Sequence, residues 1–295
     1  MPTQHIKNVS QQFVSEVQDR YVAGGLACAG LETGFPKLDE MLGGLQPDAM
    51  YVVGGRPGSG KTSFALDLSL HVASQGKRVL FYSLEMSAKR LVCRLLSRMT
   101  GVPGIRIMQG RLSKSEFEAV EQASCSLSAY QVAIVDDTLD SDGLSRHAKR
   151  IAEKTTVDLL VVDYLSLLRD QQRFGEYERV TRISNTLRSL ARPDQLNVPI
   201  LALVQLNRES DKREDHMPTL ADIRDSGAIE QDAHAVIFCY RPYYYKLLRG
   251  EPPLEEEKDA ALIVAKNRDG PQGKVKAIFY PSRTQWVPYE SVMGE

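Results

Sequence analysis

The run Gly55-Arg56-Pro57-Gly58-Ser59-Gly60-Lys61-Thr62 has the spacing G-x-x-x-x-G-K-[ST]. Glycines let a turn bring backbone N–H groups onto phosphate oxygens, and a helix N-terminus behind the turn adds positive potential. Lys61 then reaches the β- and γ-phosphates and Thr62 holds Mg²⁺. Gly55 to Thr62, with Ser63 after them, are therefore the expected nucleotide-binding residues. Asp163 closes the apolar run Leu159-Leu160-Val161-Val162 and reads as the carboxylate on the Mg²⁺ side. Glu85 follows Val79-Leu80-Phe81-Tyr82-Ser83-Leu84 and suits either a general base for water or the first turn of the next helix. Gln205, after Ile200-Leu201-Ala202-Leu203-Val204, suits either a sensor of the γ-phosphate or a bond to loop backbone.

These residues need strand ends and helix starts to position them, and the pattern supplies both. Apolar strands are expected at 50–53, 78–83, 132–135, 159–162 and 200–204. Helices should run from Thr62, over 87–100, 115–125 and 143–154, and over 177–190. Short, continuous, β-branched strands between helices predict an α/β fold, a mostly parallel sheet with helices on both faces. Strands at 235–238, 261–264 and 275–279 follow with no helix expected between them, so a C-terminal strand meander should extend the sheet. The excursion from Tyr243-Tyr244-Tyr245 to Lys258 reads as a partly buried loop, with base stacking or interface packing as alternatives.

Near the N-terminus, Ile6, Val9, Phe13, Val17 and Tyr21 make an apolar stripe on a polar helix. Ala23-Gly24-Gly25 and the stretch Gly30–Gly34 follow it. The organisation expected is an amphipathic linker helix and flexible tether over residues 1–30, then one domain over 31–295.

The chain's 295 residues carry 37 Lys+Arg against 38 Asp+Glu, a formal net charge of −1. That balance excludes a protein that coats nucleic acid by bulk attraction, so any such contact must come from local loops. The absence of a signal-like N-terminus or of a long apolar run predicts a cytoplasmic protein without a membrane span. Cys28, Cys93, Cys125 and Cys239 lie far apart and are expected to be buried, reduced thiols.

Six segments in order, Gly55–Thr62, Ser83-Leu84-Glu85-Met86, Val162-Asp163-Tyr164-Leu165, Gln205-Leu206-Asn207-Arg208, Asp222–Ala233 and Lys266-Asn267-Arg268-Asp269-Gly270-Pro271, resemble the C-terminal motor of DnaB-type replicative helicases. The similarity covers about residues 31–290 and, more weakly, the preceding helix. It implies a RecA-like P-loop ATPase that uses ATP and Mg²⁺, forms a homo-hexameric ring with ATP between subunits, and unwinds duplex while translocating on single-stranded DNA in the central channel. By the same resemblance, Glu85 is the catalytic base, Lys61 and Thr62 hold phosphate and Mg²⁺, and Asp163 is the metal-side carboxylate. Gln205 is the γ-phosphate sensor, Arg94 is a basic residue near the nucleotide, and Lys266 and Arg268 reach the neighbouring subunit's ATP. Arg224, Asp225 and Gly227 fall in the segment similar to the DNA-contacting loop.

There are departures. About 30 residues precede the motor, where the family carries a separate domain that binds primase, so a helicase loader is an expected partner but primase is not. Asp225 stands in place of Glu, and Arg192-Pro193-Asp194-Gln195 should interrupt a helix that is continuous in the family. The alternative reading is a non-unwinding RecA-like ATPase, an ATP-gated DNA-binding ring or helicase adaptor.

Overall fold

The computed structural model describes residues 5–22, 28–168, 175–213, 215–223, 227–248 and 258–293. Nine strands form one sheet: β1 (Met50–Gly55), β2 (Val79–Ser83), β3 (Val132–Val135), β4 (Leu159–Asp163), β5 (Ile200–Gln205), β6 (Ala235–Tyr240), β7 (Asp259–Asn267), β8 (Gly273–Tyr280) and β9 (Gln285–Pro288). Their order is β3-β2-β4-β5-β1-β6-β7-β8-β9. Pairings from β3 through β6 are parallel, and β6 to β9 run antiparallel.

The central strands are apolar at every position because both faces are covered. Successive side chains point to opposite faces, so Tyr51, Val53, Phe81, Val161 and Leu203 pack on one layer while Met50, Val52, Tyr82, Val162 and Ala202 pack on the other. The first layer takes helices Lys61–Ser74 and Ala88–Thr100 through Phe64, Leu68, Leu91 and Leu95. The second takes helices Ser141–Ala152 and Glu176–Ala191 through Leu144, Ala148, Ile183 and Leu187. The last of these helices stops before Pro193. Arg192 has left the helix with ψ 156°, the extended conformation forced on a residue that precedes proline.

The meander differs from expectation in two ways. A helix, Pro242–Leu248, sits between β6 and β7, and β9 adds a fourth antiparallel strand. Both are short, with Tyr243 and Tyr245 buried in the one and Trp286 in the other, so tertiary packing defines them and local periodicity does not. Short helices at Pro36–Leu42, Gly104–Gln109 and Gly227–Asp232 were likewise below the reach of periodicity.

The N-terminal helix spans Ile6–Val22 and none of its residues is buried. Ile6, Phe13 and Tyr21 are 80%, 59% and 81% exposed, so the apolar stripe has no cover within the described residues. The main body takes up the chain where Gly30 N–H donates to Gly43 O and Leu31 pairs with Leu45.

The expectation of four buried thiols is corrected. Cys93 and Cys239 are buried and Cys28 half-buried, but Cys125 is exposed. It lies on helix Lys114–Ser128, which buries only Ala123.

Candidate active site at the edge of the parallel sheet

β1 delivers Gly55 to the C-terminal edge of the sheet, and the chain turns there into the helix that begins at Lys61. Gly60 caps that helix at φ 99°, a left-handed conformation that a side chain rarely adopts. A Cβ on Gly60 would also come within 2.8 Å of Trp286 Nε1, which donates to the Gly60 carbonyl at 3.0 Å. Inside the turn, the Arg56 carbonyl accepts from Ser59 N–H at 3.0 Å and from Lys61 Nζ at 3.3 Å. Lys61 is buried, and desolvation holds its ammonium below the usual lysine range, with Asp163 and Glu85 among the charges pulling it back up.

Register fixes the neighbours. Gln205 pairs with Gly55 across β1 and β5, and Asp163 pairs with Ser83 across β2 and β4. Glu85 leaves β2 two residues beyond Ser83. A cleft of about 330 Å³ gathers Lys61, Thr62, Ser63, Glu85, Arg94 and Gln205, with Pro57, Gly58 and Gly60 on its wall. The residues expected from the strand ends and from the glycine-rich turn therefore meet in one place. Arg94 sits there on helix Ala88–Thr100. Burial lowers its pKa, while Asp163 and Glu85 support its charge.

Asp163 is fully buried, and desolvation pushes its carboxyl up to about 6. The nearby Thr62 hydroxyl lowers that value, yet neither carboxylate oxygen makes a hydrogen bond of ordinary geometry to any described residue. A buried carboxylate left without a partner is costly, and a cation beside it removes the cost. The pair of Thr62 hydroxyl and Asp163 carboxylate is a donor set suited to Mg²⁺, which takes one or two protein oxygens and completes its shell with phosphate and water. Among the described residues there is no cluster of three or more His, Cys, Asp or Glu arranged as a metal cage, and such an ion needs none.

Other expected residues lie elsewhere. Lys266 pairs with Val236 near the start of β6, level with the beginning of β1, so the sheet separates it from its own phosphate turn. Four residues of β1 at about 3.3 Å each put roughly 13 Å between the two ends. There Lys266 Nζ donates to the carbonyls of Glu230 and Ala233, the latter at 2.8 Å, and Arg268 Nη2 donates to the Gln231 carbonyl. Both cations thus cap the C-terminal end of helix Gly227–Asp232, whose unpaired carbonyls favour positive charge. Gly227 opens that helix and is exposed. Arg224 and Asp225 lie outside the described residues. Arg56 is in the turn, but its guanidinium faces away from the helix: Nε and Nη2 bond Asp211, and Nη1 donates to the Leu206 carbonyl at 2.9 Å.

Arg241 and Phe279 also line the cleft and were not anticipated. Phe238 pairs with Gly54, so Arg241 follows directly from a strand that ends beside the phosphate turn. The strand-end rule that found Asp163 and Gln205 could have found it.

Residues 30–287 match the family described as the DnaB-like helicase C-terminal domain. The chain belongs to this family. The DnaB-like chain is 34% identical over 296 residues to the replicative DNA helicase DnaB of Geobacillus stearothermophilus, covering 99% of itself and 63% of that relative. It is 31% identical to the DnaB of Helicobacter pylori, covering 66% of that protein. The chain therefore spans a little under two thirds of the length of these relatives. Among solved structures, a helicase-sized ATPase domain superposes with a TM-score of 0.88 at 27% identity, over 97% of this chain and 99% of that one. A DnaB-like replicative helicase studied for its interactions with primase gives 0.84 at 26% identity, over 98% and 67%. A KaiC-like protein from Pyrococcus horikoshii, at 19% identity and a TM-score of 0.57, shares the fold alone. The DnaB-like chain thus has the RecA-like α/β fold expected from its sequence, with the parallel sheet and antiparallel meander in the expected order.

Proposed function

We propose that this chain is an ATP hydrolase that drives movement along single-stranded DNA and unwinds duplex during DNA replication, as a cytoplasmic homo-hexameric ring. The observation that carries the reading is the division of the charged machinery. Lys61, Thr62, Glu85, Arg94 and Gln205 share one cleft, while Lys266 and Arg268 sit at the opposite end of the same sheet. A site so divided is completed when one subunit's far edge meets the next subunit's phosphate turn, and repetition of that head-to-tail contact closes a ring.

In this reading the turn and Lys61 bind the phosphates of ATP, and Arg94 adds a second cation from the facing helix. Mg²⁺ held by Thr62 and Asp163 would neutralise charge on the phosphate oxygens. Glu85, exposed at the cleft mouth, orients a water and accepts its proton as the oxygen attacks the γ-phosphorus. The arginine of the adjoining subunit stabilises the charge that spreads over the equatorial oxygens. Gln205, in register with Gly55, senses whether the γ-phosphate is present, and the chain that follows it leads to Arg224, Asp225 and Gly227, the proposed DNA contacts. The uncovered stripe of helix Ile6–Val22 docks on a neighbouring subunit and helps hold the ring.

The deciding experiment measures mass in solution with and without a non-hydrolysable ATP analogue and single-stranded DNA, then unwinding of a forked duplex by the same sample. A six-fold mass with ATP-dependent strand separation supports the reading. A ring that binds DNA but separates no strands favours the adaptor, and a monomer under every condition overturns both.

A further inference from the structure

The helix Pro242–Leu248 packs against the phosphate turn. Tyr244 Oη donates to the Pro57 carbonyl, and Arg241 Nη1 donates to the Gly58 carbonyl at 3.1 Å. The guanidinium of Arg241 lies over the Phe279 ring at 3.8 Å from its centroid, with the Tyr244 ring at 6.0 Å. Gly58 stands at φ 78°, and a Cβ there would meet the Tyr244 ring at 3.1 Å.

A trans peptide points its carbonyl and the next N–H in opposite directions. Fixing the Pro57 and Gly58 carbonyls on the outer side of the turn therefore fixes the N–H groups of Gly58 and Ser59 on the inner side. The Ser59 N–H indeed donates inward, to the Arg56 carbonyl. Turns of this kind bind phosphate through such N–H groups, and their affinity depends on how much order is present before the ligand arrives.

We propose that Arg241 and Tyr244 form a clamp that pre-orders the phosphate turn, making them positioning residues for nucleotide binding. This rests on the proposed ATPase reading. Arg241 is buried and held flat on Phe279, so it can carry this constraint without a swinging side chain. Desolvation lowers its pKa only to about 10, so it stays cationic and its bond to the carbonyl is charge-assisted at neutral pH. Because the turn is expected to cradle the phosphates shared by ADP and ATP, loss of the clamp should weaken both nucleotides alike. A direct contact to the γ-phosphate would weaken only the triphosphate.

The test measures Kd for Mg·ADP and for a non-hydrolysable ATP analogue, with thermal melting of the nucleotide-free protein, for the wild type, Arg241→Ala, Arg241→Lys and Tyr244→Phe. Binding by the wild type establishes the underlying reading, and its absence would defeat that reading rather than the clamp. The clamp predicts Kd increases of about tenfold for Arg241→Ala and about threefold for Tyr244→Phe, equal for both nucleotides, with partial recovery in Arg241→Lys. Tyr244→Phe keeps the ring and removes one oxygen, so it stays informative if Arg241→Ala does not fold. Unchanged affinity in the folded variants, or a loss confined to the triphosphate, overturns the proposal.

Discussion

Arg56 and Asp211 face each other across two parallel hydrogen bonds, Nε to Oδ1 at 3.1 Å and Nη2 to Oδ2 at 2.8 Å. The paired fork is the strongest geometry open to an arginine and a carboxylate, and here both partners are partly shielded from water. It fastens the phosphate turn to the segment that runs on from Gln205 toward the proposed DNA loop. Asp211→Ala should leave ADP affinity within about threefold of wild type while cutting the stimulation of ATPase by single-stranded DNA severalfold. Steady-state ATPase with and without DNA reads this out, and full stimulation in the variant would remove any coupling role from the pair.

Lys61 and Glu85 share a cleft but not a task. Lys61→Ala removes a buried cation from the phosphate site, so it should weaken nucleotide binding and abolish turnover. Glu85→Gln keeps shape and loses only the proton acceptor, so binding should survive and hydrolysis fall by about 10²-fold or more. Binding measured by calorimetry beside single-turnover hydrolysis separates the two. Equal loss of affinity in both variants would show that Glu85 is not the base.

The helix that follows the turn is anchored by a buried ion pair. Arg98 Nε lies 2.7 Å from Asp67 Oδ1, out of line for a hydrogen bond, while Arg98 Nη2 donates to the carbonyls of Ser63 and Thr284. Asp67 Oδ2 accepts from Trp286 N–H. Burial pushes the Asp67 carboxyl up to about 7, with Arg98 pulling it down. An acid whose folded pKa lies above its unfolded value takes up its proton more readily when folded, so stability falls as pH climbs from about 4 to about 7. Arg98→Ala leaves the carboxylate unpaired and should cost about 3–5 kcal/mol at pH 8. The cost should shrink at pH 5.5, where Asp67 neutralises itself. Urea denaturation at both pH values checks this, and a pH-independent cost would contradict the burial argument.

The strands were legible because alternate residues of β1, β2, β4 and β5 feed two apolar layers, which leaves an unbroken apolar run in the sequence. The phosphate turn was legible because its glycines and Lys61 have a fixed spacing, and Asp163 and Gln205 because they end those runs. Arg241, Tyr244 and Asp211 were not. Their roles come from contacts with the turn across 150 residues or more, made by a short helix and a loop that no periodicity marks. Trp286 escaped for the same reason, since its strand exists as the last rung of the meander beside the helix at Lys61.

Arg268 offers the sharpest test of assembly. Its strand ends at the opposite edge of the sheet from Lys61, so no rearrangement of side chains within one subunit brings the two together. If Arg268 completes a neighbour's site, loss of either residue must be repairable by mixing. Arg268→Ala subunits supply an intact Lys61 cleft, Lys61→Ala subunits supply an intact arginine, and some junctions in a mixed ring hold both. In a randomly mixed equimolar ring about one junction in four is complete, which sets the scale of the recovery before any cooperativity between sites. Each variant alone should show almost no DNA-stimulated ATPase, and the mixture should regain a measurable part of it. Arg268→Ala should still bind nucleotide, since its own cleft is untouched. Mixed rings shown by mass to contain both variants, yet lacking any recovered activity, would place Arg268 in the structural role its bond to the Gln231 carbonyl already provides.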